Sequence, residues 1–593
     1  LTSQPTGAEQ GSTDPSPQGS GTQGRPAGAE PVAPRGPGPA EGEKHPQAPS
    51  GGRASSLLRS GAMMAVGTLA SRITGFLRSV ILVAALGTAA LGDAYNTANT
   101  IPFIVYDLLL GGILTAVVVP LLVRARERDP VYGRQYEQRL FTLALTGLAV
   151  MAAVAALLAP LLINIYGSDF QGEQRDLAVL FARLFAVQIF FLGVSAFAGA
   201  ILNTRQRFVA PMWAPVLNNI VICVTGVTFL LVTTGKVTPE SITGTEVALL
   251  ATGTIGGIAV QTLALWPSLR GSGFRWRPRF DFRRGELGQI GGMAIWTLAY
   301  VVITQAGFAV TTNLLNAVGV QGRLEGVGNV GYTPYFNAYQ LFQLPYAIIG
   351  VTVITALLPR MSEHAAEGKR SLVRDDFSAG LRLATVVILP AAALMFVLAP
   401  DIATALFAHG QTTRPDALVI GDVMRMFAIA LVPFSAYQLM LRVFYAHSDT
   451  RTPALVAIVT VSTNVALALV LYNTLPTERV AMGIAGGFAV ANLTGTLVCW
   501  LILRRKLEGV DGRRIVGTNL KLAVAIWPLI GFAYAAHAVS DAAIGPGFPA
   551  SVVALVVGST GGGLLYLVFA RLLRVAEVQT LLSTVTSRLP GRS

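Results

Sequence analysis

The stretch Ala70-Ser71-Arg72-Ile73-Thr74-Gly75-Phe76-Leu77-Arg78 places two arginines inside an apolar run, residues 60–86, that is long enough to cross a bilayer. An arginine at the centre of a membrane helix costs about 3 kcal/mol on insertion scales, so a pair is retained where it faces a polar cavity or a charged ligand. Arg72 and Arg78 therefore read as an intramembrane anion site. Six residues apart on a helix, they stand about 9 Å apart along the axis and about 120° apart around it. One cavity reaches both if the helix bends at Gly75 and the long side chains turn inward.

That apolar run is the first of many. Charged residues make up 13% of the 593 and apolar residues 52%, against about 25% charged in an average soluble protein. From Leu57 onward the chain divides into about fourteen segments of spanning length. They lie near 60–86, 93–123, 140–166, 177–203, 208–233, 245–269, 287–316, 331–358, 376–400, 416–445, 453–473, 481–503, 515–539 and 550–573. The expected fold is an all-α polytopic membrane protein.

The net charge of +13 has an orienting meaning. Basic residues follow every even-numbered segment: Arg124 to Arg139, then Arg205 and Arg207, then Arg270 to Arg284, then Arg360 to Arg374, Arg451, Arg504 to Arg514, and Arg571 with Arg574. The alternate connections, 88–92, 167–176, 234–244 and 541–549, are neutral or acidic. The positive-inside rule then puts both termini in the cytoplasm and makes the helix count even. Membrane orientation accounts for the charge, and nucleic-acid binding is not expected.

Residues 1–55 are rich in Gly, Pro, Ser, Gln and Ala, a composition that cannot bury a core, so a disordered cytoplasmic tail is expected. The tail has no apolar h-region, which leaves the first segment to act as the insertion signal. Cys223 and Cys499 both lie in apolar segments, which argues against a disulfide or a thiolate metal site.

The chain also repeats itself. The fourth segment ends in Asn203-Thr204-Arg205-Gln206-Arg207 and the fifth opens at Pro211; the tenth ends in Tyr445-Ala446-His447-Ser448-Asp449-Thr450-Arg451 and the eleventh opens at Pro453. Pro102 with Thr115-Ala116-Val117-Val118-Val119-Pro120 in the second segment parallels Pro345 with Thr355-Ala356-Leu357-Leu358-Pro359 in the eighth. Both matches are six segments apart. An even offset preserves orientation, so the halves are parallel repeats about an axis along the membrane normal. The expected division is an N-lobe at 56–285, a C-lobe at 286–510, two extra helices at 511–575 and a cytoplasmic tail at 576–593.

No constellation for bond-breaking chemistry is present: no His and Glu at zinc-ligand spacing, no phosphate-cradling Gly-rich loop with a following Lys, no Gly-x-Ser-x-Gly elbow. An enzyme and a metal site are not expected, and His364, His409, His447 and His537 read as solvated or capping residues. The informative groups are polar and intramembrane. Asp93, at the mouth of the second segment, can neutralise one arginine, Arg78 in the first instance, and Asp107 deeper in that segment is a candidate partner for Arg72. Arg442 either snorkels to the headgroups or faces the cavity. Asp422 and Arg425, three apart, read as a local pair. Gly75, Gly111, Gly112, Pro102, Pro345 and Gly350 interrupt the first, second and eighth segments, either as hinges or as close-packing points.

Ser71-Arg72-Ile73-Thr74-Gly75-Phe76-Leu77-Arg78, with Gly87 and Asp93-Ala94, resembles the MurJ (MviN) lipid II flippase family. So do Ile201-Leu202-Asn203, Arg207-Phe208, Pro211, Ala214-Pro215 and Asn218, and Phe342-Gln343-Leu344-Pro345 through Leu358-Pro359. Phe444-Tyr445-Ala446, Asp449-Thr450 and Thr452-Pro453 extend the resemblance into the second half. It runs from about residue 57 to the end of the fourteenth segment. The family belongs to the multidrug/oligosaccharidyl-lipid/polysaccharide exporter superfamily, and the resemblance implies two six-helix lobes around a central cavity, with the last two helices forming a lipid-tail groove.

The implied function is alternating-access movement of lipid II, undecaprenyl-diphosphate-GlcNAc-MurNAc-pentapeptide, from the cytoplasmic to the outer leaflet of the bacterial inner membrane for peptidoglycan and cell-shape maintenance. Arg72 and Arg78 match the family's first-helix arginines and would grip the diphosphate by charge-assisted, bidentate hydrogen bonds. Asp93 matches its second-helix aspartate and, with Gly75, would support gating. The chain departs from the family where Tyr106-Asp107 and Gly111-Gly112 stand in place of an Arg-Arg and a Glu-Gly pair, and where Gln340 stands in place of an arginine. Arg442, Gln340, Asp107 and Asn464 are further candidates. No cofactor and no ion site is carried over, although coupling to the membrane potential or a monovalent cation fits the family, and cell-wall synthesis proteins are candidate partners. The competing readings are a flippase for another polyprenyl-diphosphate glycan, a multidrug-type antiporter, and a membrane scaffold that transports nothing.

Overall fold

The structure, a computed structural model, describes residues 51–108, 130–280, 292–347 and 351–579. Residues 1–50 of the expected tail at 1–55, the second half of the second segment with Gly111 and Gly112, the basic residues 283–284, Gly350 and the last fourteen residues lie outside the described residues; residues 51–55, expected to be disordered, are helical and continue into the first apolar run. Residues from Arg59 onward belong to one compact unit, Arg59–Ser593; Gly51–Leu58 belong to the other, Leu1–Leu58.

Among the described residues there are helices and no strands. In order they are α1 (Gly51–Leu86), α2 (Ala90–Asp107), α3 (Pro130–Leu157), α4 (Ala159–Tyr166), α5 (Gly172–Phe185), α6 (Val187–Thr204) and α7 (Val209–Val232), then α8 (Gly244–Ala264), α9 (Trp266–Gly271), α10 (Gly292–Leu324), α11 (Tyr332–Pro345), α12 (Val351–Ala366) and α13 (Arg370–Val397). The chain continues through α14 (Ala399–Phe407), α15 (Arg414–Ala446), α16 (Arg451–Thr474), α17 (Thr477–Lys506), α18 (Gly512–Ile544) and α19 (Phe548–Leu572). Twelve spans among the described residues are long and apolar enough to cross a membrane. The protein is a multi-pass membrane protein. The segments near 93–123 and 331–358 fall partly outside the described residues.

Local chemistry sets the helix ends. Thr243 and Glu246 close a capping box at the start of α8, and Thr413 with Asp416 does the same for α15, satisfying amides that have no partner within the helix. Proline fills the first turn of α4 and α14, where its missing N–H costs nothing.

The internal repeat reappears as geometry. α2 and α11 begin 242 residues apart (332 − 90), as do α7 and α16 (451 − 209). In the turn before α7, Gln206 has φ 58° and the Arg207 amide donates to Leu202 O at 2.9 Å; in the turn before α16, Ser448 has φ 56° and the Asp449 amide donates to Phe444 O at 3.0 Å. Gln206 and Ser448 are also 242 residues apart (448 − 206). Both turns are six-to-one helix ends with a left-handed residue, and in neither is that residue glycine.

Two of the buried cores are drawn mainly from one half each, with Val83 of α1 reaching into the second. One gathers Tyr95, Phe181, Phe185 and Phe229 with their neighbours in α1, α2, α4, α5, α7 and α8. The other gathers Phe342, Phe427 and Phe434 with their neighbours in α10, α11, α13, α15 and α17. A third packs Leu522, Ile526 and Leu529 of α18 and Tyr566 of α19 on Val386 of α13, where the Tyr566 hydroxyl donates to the Val386 carbonyl at 2.7 Å. Cys223 and Cys499 are free, as their places in apolar segments predict.

Candidate functional site

A cavity of about 700 Å³ lies between α1 and α2 on one side and α10, α11, α15, α16 and α17 on the other. Among the described residues nine aromatic rings line it, including Phe103, Phe336, Tyr339, Phe434 and Phe488. Between the rings stand amides and hydroxyls, including Asn99, Gln305, Gln340, Gln438 and Asn464. Among the described residues the lining carries one cation, Arg78, and one carboxylate, Asp107. Asp107 accepts a hydrogen bond from Gln305 Nε2 at 3.2 Å. Arg78 makes no hydrogen bond or ion pair among the described residues. A smaller, more polar void of about 30 Å³ adjoins it, and Arg78, Asn99 and Gln340 line both spaces. An unpaired guanidinium beside polar neighbours and within reach of a large cavity can bind an anion with little competition from a protein carboxylate.

At the end of the bundle with the neutral connections, polar contacts join the two halves. Asp93 is fully buried; its Oδ1 accepts the Thr333 amide at 2.9 Å and its Oδ2 accepts Arg323 Nη1 at 3.3 Å. Arg323 also donates to Gln174 Oε1 at 2.8 Å. The α-carbons of Gly319 and Gly331 approach so closely that an added Cβ on either would come within 2.7 Å of Asp93 Oδ2. Asn316 donates to Thr97 Oγ1 at 2.9 Å and to the Tyr166 carbonyl at 2.7 Å, and the Thr100 and Tyr332 hydroxyls meet at 3.0 Å. The Gln411 amide and Thr412 hydroxyl donate to the carbonyls of Ala84 and Val83. These contacts close that end above the cavity.

The chain matches the family described as lipid II flippase MurJ over residues 82–558. This chain belongs to the lipid II flippase MurJ family. A Rhizobium meliloti (strain 1021) relative described as a probable lipid II flippase MurJ is 27% identical over 455 residues, covering 75% of this chain and 81% of the relative. One from Bdellovibrio bacteriovorus with the same description is 26% identical over 482 residues, covering 79% and 86%. Among solved structures, a lipid II flippase MurJ in an inward closed conformation superposes with a TM-score of 0.68 at 19% identity, covering 86% of this chain and 98% of that one. An inward-facing multidrug MATE transporter of the MOP superfamily gives 0.60 at 17% identity, covering 74% and 96%.

The structure separates the two arginines of α1 that the sequence resemblance singles out. Arg78 lines the cavity, whereas Arg72 is exposed and does not line it. α1 runs as continuous α-helix through Gly75, so the 120° between them is kept. Gly75 is a close-approach point: an added Cβ would lie 3.3 Å from Asn219 Nδ2, which donates to the Ser71 carbonyl and Thr74 Oγ1 across the α1–α7 contact.

The expected pairing of Asp93 with Arg78 is not found; Asp93 pairs with Arg323. Depth explains the difference. Arg78 lies eight residues before the end of α1, about 12 Å down the axis, while Asp93 lies three residues into α2, about 4.5 Å down. Asn99, not Asp93, is level with Arg78. The apolar pattern ends the seventh segment near residue 316, whereas α10 continues to Leu324 and carries Arg323 in its last turn. An arginine beside Glu325 in a connection on the weakly charged side was the available signal.

The remaining candidates separate by position. Gln340 lines the cavity and donates to Ser79 Oγ at 3.2 Å, and Asn464 lines it with Nδ2 on Thr311 Oγ1 and a buried Oδ1 that has no hydrogen-bond partner. Arg442 does not line the cavity; its guanidinium stands 5.7 Å from the Tyr445 ring. Asp422 and Arg425 form the expected local pair at 3.0 Å. His409 and His447 lie against carbonyls of their own helices. His364 and His537 instead face the carboxylates of Asp376 and Asp401 at 2.9 Å, so neither is simply solvated.

Proposed function

We propose that this protein moves lipid II from the cytoplasmic to the outer leaflet of the bacterial inner membrane by alternating access, with its basic end in the cytoplasm. The observation that carries the reading is Arg78: one unpaired guanidinium on the wall of a large, mostly aromatic and amide-lined cavity. A diphosphate is a compact anion whose oxygens match the guanidinium fork, and the surrounding amides and hydroxyls suit a sugar and peptide headgroup. Arg72, about 9 Å nearer the start of α1, meets the headgroup on its way in. The C-terminal pair α18 and α19 holds the isoprenoid tail alongside the second lobe.

Release follows opening of the polar contacts around Asp93 and Arg323. The described conformation is closed at that end, so loading takes place from the basic end. No covalent step is required, and the cycle draws on the membrane potential or a monovalent cation gradient. Cell-wall synthesis enzymes in the same membrane would supply and consume the cargo.

The test is the fraction of lipid II degraded by an externally added lipid II-cleaving enzyme in cells depleted of this protein. The expected outcome is intracellular protection of lipid II on depletion and restored exposure with the wild-type chain. Unchanged exposure in cells without a second flippase rules out lipid II as the cargo.

A further inference from the structure

Away from the cavity, three ligand-bearing side chains converge where the C-terminal helix pair meets the second half of the bundle. Asp401 stands in the first turn of α14, and His537 and Asp541 stand four residues apart on one face of α18. One ligand atom from each lies within 4.8 Å of the other two. Asp401 is 1% exposed, and its helix α14 packs on α19.

The contact between Asp401 and His537 is unusual. Asp401 Oδ2 and His537 Nδ1 are buried and stand 2.9 Å apart as an ion pair, and among the described residues neither atom has a partner of good hydrogen-bond geometry. An ion pair of poor hydrogen-bond geometry offsets only part of the desolvation cost of two buried atoms. Adjacent ligands of one zinc ion, each about 2.0–2.1 Å from the metal, stand about 2.9–3.4 Å from one another. The separation is that of two ligands sharing an ion.

We propose that Asp401, His537 and Asp541 bind a divalent transition-metal ion, zinc being the best match, that staples α18 to α14. One imidazole and two carboxylates make a borderline donor set of the kind zinc accepts, whereas calcium and magnesium are hard cations that take oxygen and gain little from an imidazole nitrogen. Two carboxylates balance the charge of the ion. Asp541 is partly buried, one turn beyond His537; His537 is 25% exposed at its side chain, which leaves an approach from solvent and room for a water as fourth ligand. The ion would fix the C-terminal helix pair at the neutral end of the bundle, far from Arg78 in sequence and in role.

The experiment uses the full chain, purified without a polyhistidine tag, stripped with EDTA and titrated with zinc. Bound zinc per chain is read by elemental analysis after desalting, thermal stability by an unfolding scan, and ligand geometry by the visible spectrum of the cobalt-substituted protein. The expected result is one zinc per chain, a raised Tm that EDTA reverses, and no displacement by excess calcium. His537→Ala and Asp541→Asn, each checked for monodispersity, should weaken zinc binding at least about ten-fold. If His537→Ala fails to fold, Asp541→Asn and the cobalt spectrum decide. The proposal is overturned if the wild-type chain takes up no stoichiometric zinc, if Asp541→Asn binds it unchanged, or if Tm responds to pH but not to zinc, the behaviour of a bare histidine–carboxylate pair.

Discussion

The carboxylate of Asp93 and the guanidinium of Arg323 meet at 3.3 Å across 230 residues of chain, and they tie the second helix of one half to the last turn of α10 in the other. Asp93 is fully buried while the Arg323 side chain keeps 25% exposure, so the two partners respond differently to loss of the other. Breaking a buried pair by removing one member costs about 3–5 kcal/mol when a charge is left buried. Asp93→Asn leaves only Arg323 uncompensated, and Arg323 can hydrate, so the cost should fall at or below the lower end of that range.

The consequence is a looser closure at the neutral end. Thr97 is buried beneath Asp93, so in a background lacking Cys223 and Cys499 a Thr97→Cys chain should react slowly with an externally added, membrane-impermeant thiol reagent. Adding Asp93→Asn should speed that reaction by on the order of ten-fold or more, the factor that about 1.4 kcal/mol of lost closure implies. Equal labelling rates in the two backgrounds would remove the closing role from this pair.

Gly75 separates hinge from packing. An added methyl meets Asn219 Nδ2 at 3.3 Å, and moving Asn219 strains its bonds to the Ser71 carbonyl and Thr74 at 3.1 and 3.0 Å. Gly75→Ala should destabilise the detergent-solubilised protein by on the order of 1 kcal/mol, and most of that cost should vanish in an Asn219→Ala background, a coupling that a double-mutant cycle reads directly. A hinge role would instead leave Tm unchanged while altering transport, and would show no coupling to Asn219.

Asp449, at the basic end, makes stability depend on pH. Burial pushes its carboxyl up, but hydrogen bonds from Lys506 and from the Thr452 amide and hydroxyl outweigh that and hold it below the usual carboxylate range. A depressed folded-state value means that the contribution is present above the unfolded value, about pH 4, and is lost as pH falls through the folded one. Asp449→Ala removes the cap at the start of α16, an expected loss of about 1 kcal/mol. The Tm difference between wild type and variant should therefore be largest near neutral pH and shrink on acidification. A difference that grows toward low pH would contradict this sign.

The fold was legible because each level of the chain states it independently. Apolar length places the spans, Pro211 and Pro453 open equivalent helices, and the basic turns before them prove to share a left-handed residue at Gln206 and Ser448. The cavity was partly legible. Arg78 could be chosen because a charge within an apolar run demands a reason, and Gln340 and Asp107 because they occupy positions matched to charged ones. Arg72 shows the limit: helical spacing gives the angle between two side chains but not which of them the neighbouring helices enclose. Asp93 with Arg323 and Asp401 with His537 were illegible as pairs. Each joins elements more than a hundred residues apart, and their meeting depends on depth along packed helices, which no local pattern records.

The central claim is that Arg78 grips the diphosphate, and affinity of the purified protein for lipid II tests it most directly. Charge-assisted hydrogen bonds contribute about 1.5–3 kcal/mol, so Arg78→Ala should weaken binding about ten- to hundred-fold. Arg78→Lys, which keeps the charge but loses the fork, should fall between the two. Arg72→Ala, exposed and outside the cavity lining, should lose less than Arg78→Ala. If folded Arg78→Ala binds lipid II as tightly as the wild type, the anion site lies elsewhere and the account of this cavity is wrong.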